Sequence, residues 1–177
     1  FTVDDVADGI CKKLIFRHPH VFGDVAVSGS DEVLVNWDAL KREEKSQQTY
    51  TDALNAVAKS LPALWRAEKV QKKAKKAGFD WPDAQGAVDK LSEELSELRE
   101  AIAQGTNVEE ELGDLLFAAV NVSRFVHADP EETLNAATEK FISRFAKVEE
   151  LAKAQGQDMT QMSLTELDKL WEAVKRT

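Results

Sequence analysis

Two acidic helical segments separated by a four-residue break leave this chain few ways to fold. The first carries Glu93-Glu94-Leu95-Ser96-Glu97, the break reads Gln104-Gly105-Thr106-Asn107, and the second carries Glu111-Leu112-Gly113-Asp114. So short a connection predicts an antiparallel helical hairpin. At about 3.6 residues per turn, Val88, Leu91, Leu95, Leu98 and Ile102 form one apolar stripe on the first segment. Lys90, Glu94, Glu97 and Ala101 form a second line beside that stripe, with Glu93 just beyond it. On the second segment Glu111, Asp114, Ala118 and Asn121 share a line. Leu112, Leu115, Leu116, Phe117, Ala119, Val120 and Val122 make the rest of that helix apolar almost all round. A helix of this kind is expected to be buried, turning Asp114 and Asn121 towards the interior.

Glu94, Glu97, Glu111 and Asp114, brought together between two helices, repel one another and raise their own pKa values unless a cation sits among them. A hard-oxygen donor set without His or Cys suits Mg²⁺ or Mn²⁺, and Mg²⁺ typically binds through a few carboxylates plus substrate phosphate oxygens. Glu-rich faces are more often simply solvated, and the first segment alone reads that way. The apolar second segment shifts the balance. An uncompensated carboxylate in apolar surroundings is expensive, so the two segments together read as a metal site.

The 177 residues suffice for one domain, with or without an appendage. With 32 acidic against 23 basic residues and a net charge of −9, the chain lacks the basic footprint that general nucleic-acid binding needs. No apolar run approaches the roughly 20 residues of a membrane span, and no signal-peptide pattern opens the sequence. The single Cys11 fits a reducing cytosol, so a cytoplasmic protein without a membrane partner is expected. Strand signals are sparse, which makes the class mainly α.

Residues 4–17 read as a helix with Val6, Ile10, Leu14 and Phe16 turned inward. It runs into Arg17-His18-Pro19-His20, whose extended spacing and lack of a third ligand favour a packed loop over metal ligation. Residues 24–30 form a connector, and Ser30 or Asp31 caps a helix anchored by Trp37 and Leu40. Residues 41–48 are its solvated end, and 51–60 read as a linker. A helix opens near Pro62, carries Lys69, Lys72, Lys73, Lys75 and Lys76, and stops at Gly78. Asp80 or Asp83 caps the acidic hairpin. After it, Asp129-Pro130-Glu131-Glu132 starts a helix that runs to about Gln155 and places Lys140 and Arg144 one turn apart. That spacing suits either phosphate contact or pairing with nearby acids. Ser163-Leu164-Thr165-Glu166 is a capping box for a last helix, with Trp171 as an anchor. Lys13-Leu14-Ile15-Phe16-Arg17 echoes Lys140-Phe141-Ile142-Ser143-Arg144, which suggests a duplicated unit.

Taken together, Glu93-Glu94-Glu97 followed by Glu111-Asp114 resembles the MazG nucleoside triphosphate pyrophosphohydrolases. The resemblance extends through Leu61-Pro62-Ala63-Leu64, Gly78-Phe79-Asp80-Trp81, Glu110 to Phe117, Val120-Asn121 and Lys140 to Phe145, and includes Arg17 to Phe22. It implies an all-α, MazG-like helical bundle that forms a homodimer, uses Mg²⁺ (or Mn²⁺), and splits nucleoside triphosphates, ATP among them, into monophosphate and pyrophosphate. By the same resemblance Glu94, Glu97, Glu111 and Asp114 are the metal ligands, and Glu93 and Glu110 are water-orienting groups. Lys90, Lys140 and Arg144 become phosphate contacts, Trp171 a base-stacking residue, and Glu110, Asp114 and Asn121 complete the substrate set. A family lysine near Asn107 has no counterpart here. Residues 1–50 resemble the end of a first MazG-like domain whose acidic motif is missing, as in a fragment, and 61–177 resemble the catalytic domain.

The implied chemistry is metal-assisted phosphoanhydride hydrolysis, with Glu93 or Glu97 accepting a proton from water, and possible clearance of damaged nucleotides. The rival reading is a non-catalytic helical dimerisation module with a structural metal. A carboxylate di-iron bundle is disfavoured because no Glu-x-x-His pair occurs.

Overall fold

The structure is a computed structural model that describes residues 1–44 and 47–176; Lys45, Ser46 and the Asp31 side chain, a candidate cap, lie outside the described set. Among the described residues the secondary structure is entirely helical, as the sequence predicts. The order is α1 (Val3–Arg17), α2 (Pro19–Phe22), α3 (Ser30–Glu44), α4 (Tyr50–Asn55), α5 (Ala63–Lys76), α6 (Ala84–Gln104), α7 (Val108–Phe125), α8 (Pro130–Ala154) and α9 (Leu164–Lys175). A 3₁₀ turn, Met159–Gln161, precedes α9. The chain divides into two compact units, Phe1–Lys59 with Lys69–Asp80, and Ser60–Glu68 with Trp81–Thr177.

In the first unit the capping box expected of a helix start is formed by Thr2 and Asp5, which accept and return each other's backbone N–H. The end of α1 is fixed by Arg17. Its buried guanidinium donates to Glu44 at 2.6 Å and lies 5.7 Å from the Trp37 ring, which Lys41 also approaches at 4.5 Å. Arg17 thus links α1 to α3 as a structural cation. The inward face expected for α1 is not found: Val6, Ile10, Leu14 and Phe16 are all exposed. The α1 contacts are with α2 and α3, both short of covering that face. The stretch 51–60, read as a linker, begins within α4, whose Ala53 is buried together with Val57 just after it. The His18 and His20 rings lie 5.6 Å apart, tilted by 58°, and His18 Nδ1 lies 2.7 Å from the Leu14 carbonyl, so His18 packs on the preceding helix.

The second unit is built on two helical pairs, α6 with α7 and α8 with α9. Asp83 caps α6 by accepting from the Gly86 N–H. Gly105 ends α6 at φ 70°, its N–H donating to the Ala101 carbonyl at 2.8 Å, and Asn107 at φ 56° turns the chain back into α7. The expected hairpin is therefore formed. Its seam, however, takes only part of the apolar stripe, since Leu91 and Leu98 are half-buried in register with a line of small residues. Ala87, Glu94 and Ala101 are the buried residues of α6, matched by Ala118 and Val120 on α7. Val88, Leu95 and Ile102 of the stripe are exposed, and so are Leu112, Leu116 and Phe117 of α7. The burial expected for α7 all round is only partial: Leu115 and residues 121–125 are half-buried, and α7 packs on α6 and on α8 while the Leu112, Leu116 and Phe117 side remains open. The Ala residues let the two backbones approach closely and leave Glu94 on the covered side.

Asp129 caps α8, accepting from the Glu131 and Glu132 backbone N–H groups at 2.9 Å, while the Trp65 indole donates to the same carboxylate at 2.8 and 2.9 Å. Val148 and Ala152 of α8 pack with Leu170 and Val174 of α9, and Trp171, Met159 and Met162 lean on this core.

Candidate functional site

The covered line on α6 carries Glu94, with the exposed Glu97 one turn on, and the first two turns of α7 carry Glu111 and Asp114. Oxygen atoms of Glu94, Glu111 and Asp114 all lie within 4.8 Å of one another. Glu94 is buried, at 6% exposure, Glu111 is half-buried and Asp114 is exposed. Asp114 therefore does not turn into the core as its apolar helix suggested. It sits at the open edge of a cluster whose deepest member is Glu94. Glu111 belongs to the first turn of α7, where free backbone N–H groups favour negative charge.

Glu97 is exposed yet electrostatically part of the same group. Its carboxyl is held above the ordinary carboxylate range, by partial desolvation first, then by the charge of Glu94, with a hydrogen-bonding contact to Glu94 and the charge of Glu111 adding to it; Lys90 opposes the shift. Like charges this close lift one another's pKa. The Lys90 ammonium lies 2.8 Å from Glu94 and 2.7 Å from Glu93, and these hydrogen bonds, Glu93's the larger, hold its own pKa above the ordinary range. The second role of Lys90, as partner of a buried carboxylate, was not part of the sequence reading. The signal for it was the i, i+4 spacing to Glu94.

The remaining sequence-derived candidates are spread more widely. Glu93 is exposed beside Lys90, and Glu110 is exposed in the first turn of α7. Asn121 is half-buried further along α7, its oxygen accepting from Arg124 at 2.8 and 3.3 Å. Lys140, Arg144 and Trp171 lie on the α8–α9 pair and not on the α6–α7 seam. Lys140 is exposed; Arg144 is half-buried and its charge acts on Glu172, which Lys175 pairs at 2.6 Å. Trp171 is half-buried with its ring centroid 5.2 Å from that of Phe141, which in turn stacks on Phe145 at 5.9 Å.

The donor set fits a hard divalent cation. Three convergent carboxylates, without His or Cys, match the oxygen preference of Mg²⁺ or Mn²⁺. One buried member with two more accessible ones gives a cluster anchored on the protein side and open on the other.

Comparison with known proteins gives matches along the whole chain. The family model of the MazG nucleotide pyrophosphohydrolase domain matches residues 83–149, which span the hairpin and most of α8. A nucleoside triphosphate pyrophosphohydrolase of Escherichia coli is 42% identical over 180 residues, covering 99% of this chain and 68% of that protein. A nucleoside triphosphate pyrophosphohydrolase/pyrophosphatase of Thermotoga maritima is 41% identical, covering 99% of this chain and 66% of its own length. A Bacillus subtilis protein is 46% identical over the whole chain, which spans 37% of it.

Proposed function

The chain belongs to the MazG family of nucleotide pyrophosphohydrolases, and on that premise we propose that it hydrolyses nucleoside triphosphates to the monophosphate and pyrophosphate. One observation carries the reading down to residues: carboxylate oxygens of Glu94, Glu111 and Asp114 meet within 4.8 Å. These three would hold Mg²⁺, with Mn²⁺ as a chemical substitute, and Glu97 completes the set. A cation bound there supplies neutralisation of triphosphate charge and acidification of the attacking water.

The chain's own groups do the rest. Glu93 or Glu97 accepts a proton from the attacking water. Glu93, fixed by Lys90, and Glu110 in the first turn of α7 orient water. Lys140 and Arg144 hold the leaving phosphates, Arg144 through its bidentate fork. Asn121 lines the substrate side of α7, and Trp171 offers a ring face for the base. Damaged nucleotides are among the substrates proposed. No helix among the described residues is long and apolar enough to cross a membrane, and a cytoplasmic setting is part of the proposal. So is a homodimer, supported by the exposed apolar residues of α6, α7 and α8.

The test is pyrophosphate release from a panel of nucleoside triphosphates with and without Mg²⁺. Asp114→Asn is expected to abolish release while circular dichroism stays native. Release that survives Asp114→Asn and Glu94→Gln alike sinks the assigned cluster. The exposed apolar faces also suit a non-catalytic dimerisation module, and absence of release from every triphosphate in the panel favours that alternative.

A further inference from the structure

We propose that Lys90 is a built-in counter-ion of the carboxylate cluster, holding Glu94 in the metal-free protein and giving it up when a divalent cation binds. The inference rests on the cluster being a metal site and adds a role for Lys90 that precedes any contact with phosphate. Glu94 is buried beside Glu111 and Asp114, a situation that costs free energy unless positive charge is near. The Lys90 ammonium supplies it at 2.8 Å.

The pairing is not an ordinary surface one. Lys preceding Glu by four residues is the weaker order for a helix-surface pair, yet here the Glu side chain is 9% exposed and the Lys side chain 35%. The burial of Glu94, not the helix surface, accounts for the contact. Glu93 sits at 2.7 Å on the solvent side and gives the same ammonium a second acceptor. Lys90 can therefore turn from Glu94 without losing all its partners, and turned outward it is placed to meet an incoming anion. A bare cation must compete with Lys90 for Glu94. A cation arriving with a triphosphate brings negative charge that rewards the displaced ammonium. Metal and nucleotide affinities are coupled through this one side chain.

The experiment titrates the full chain with Mn²⁺ alone, followed by calorimetry and by electron paramagnetic resonance of free Mn²⁺, for wild type, Lys90→Gln and Lys90→Arg. Lys90→Gln is expected to bind Mn²⁺ roughly two- to fivefold more tightly, to melt at a lower temperature without metal, and to gain more from saturating Mn²⁺ than wild type does. Lys90→Arg keeps the charge and stays near wild type. A folded Lys90→Gln that binds Mn²⁺ equally or more weakly overturns the proposal, since a merely supportive lysine would weaken binding on removal. Should Lys90→Gln fail to fold without metal, folding on Mn²⁺ addition supports the counter-ion role, and failure to fold at saturating Mn²⁺ overturns it. The metal reading has a separate control. If wild type binds no Mn²⁺, or Asp114→Asn binds it unchanged, that reading itself fails.

Discussion

Glu97 carries the acid–base imprint of the carboxylate cluster. In the metal-free protein its pKa stands above its ordinary value of 4.5. A carboxyl with a raised folded pKa binds its proton more tightly in the native than in the unfolded state. Its contribution to stability is full below about 4.5 and is lost as pH rises through the folded pKa. Glu97→Gln removes that loss. We expect the variant to melt above wild type in chelator at pH 8, with the gap closing towards pH 4, and a divalent cation to close it at pH 8 as well. Thermal melts across that range check the sign; a gap that widens on acidification would show that Glu97 is not repelled by its neighbours. Asp129 acts by a different route, joining the α8 cap to the Trp65 indole. Asp129→Ala is expected to cost about 1–2 kcal/mol in urea unfolding. Trp65→Phe costs less, and their double mutant falls short of the sum because the two share one contact.

At the level of elements, the hairpin turn depends on Gly105 at φ 70°, with open space around the position of an added Cβ. Gly105→Ala therefore meets only its own backbone strain, about 1–2 kcal/mol, and the expected outcome is a native spectrum with a lowered melting midpoint. This turn, the cap at Asp129 and the Ser163–Glu166 box were legible in the sequence, because turn and cap chemistry is local and each residue type states its own requirement. The rotation of α6 was less legible. Apolar periodicity points to Val88, Leu91, Leu95, Leu98 and Ile102 as the covered face, yet the covered line keeps only Leu91 and Leu98 of these and adds Ala87, Glu94 and Ala101. Small residues contribute little to a hydrophobic pattern but permit the closest helix approach, so they can win the seam. Of the four carboxylates expected to converge, Glu94, Glu111 and Asp114 come within 4.8 Å of one another, and Glu97 stays outside that group. Trp65 as a partner of Asp129 was not legible. A contact across 64 residues leaves no local trace.

For the molecule as a whole, the described core is small relative to the apolar surface left outside it. The buried hydrophobic residues are mostly Ala and Val, with Leu170 the largest. Leu134, Phe141, Ile142 and Phe145 of α8 are exposed together with Leu95 of α6 and Leu112, Leu116 and Phe117 of α7. Scattered apolar residues on a surface need no explanation, but pairs of them spaced one turn apart along a helix suit the contact face of a partner. Leu112 and Leu116 lie one turn apart on α7, as Phe141 and Phe145 do on α8, so each pair forms a continuous ridge. An isologous dimer would cover such ridges twice over, each copy by the other. The net charge of −9 disfavours close approach of two copies unless apolar burial outweighs it, so screening by salt should strengthen the association. We expect light scattering to give twice the mass of the 19.7 kDa chain. Leu116→Glu places a carboxylate on the ridge and is expected to shift the protein to monomer at micromolar concentration, most completely at low salt, with helical content retained. A wild-type mass equal to one chain at all salt concentrations, or a Leu116→Glu protein that remains dimeric, would remove the α7 ridge from the proposed interface.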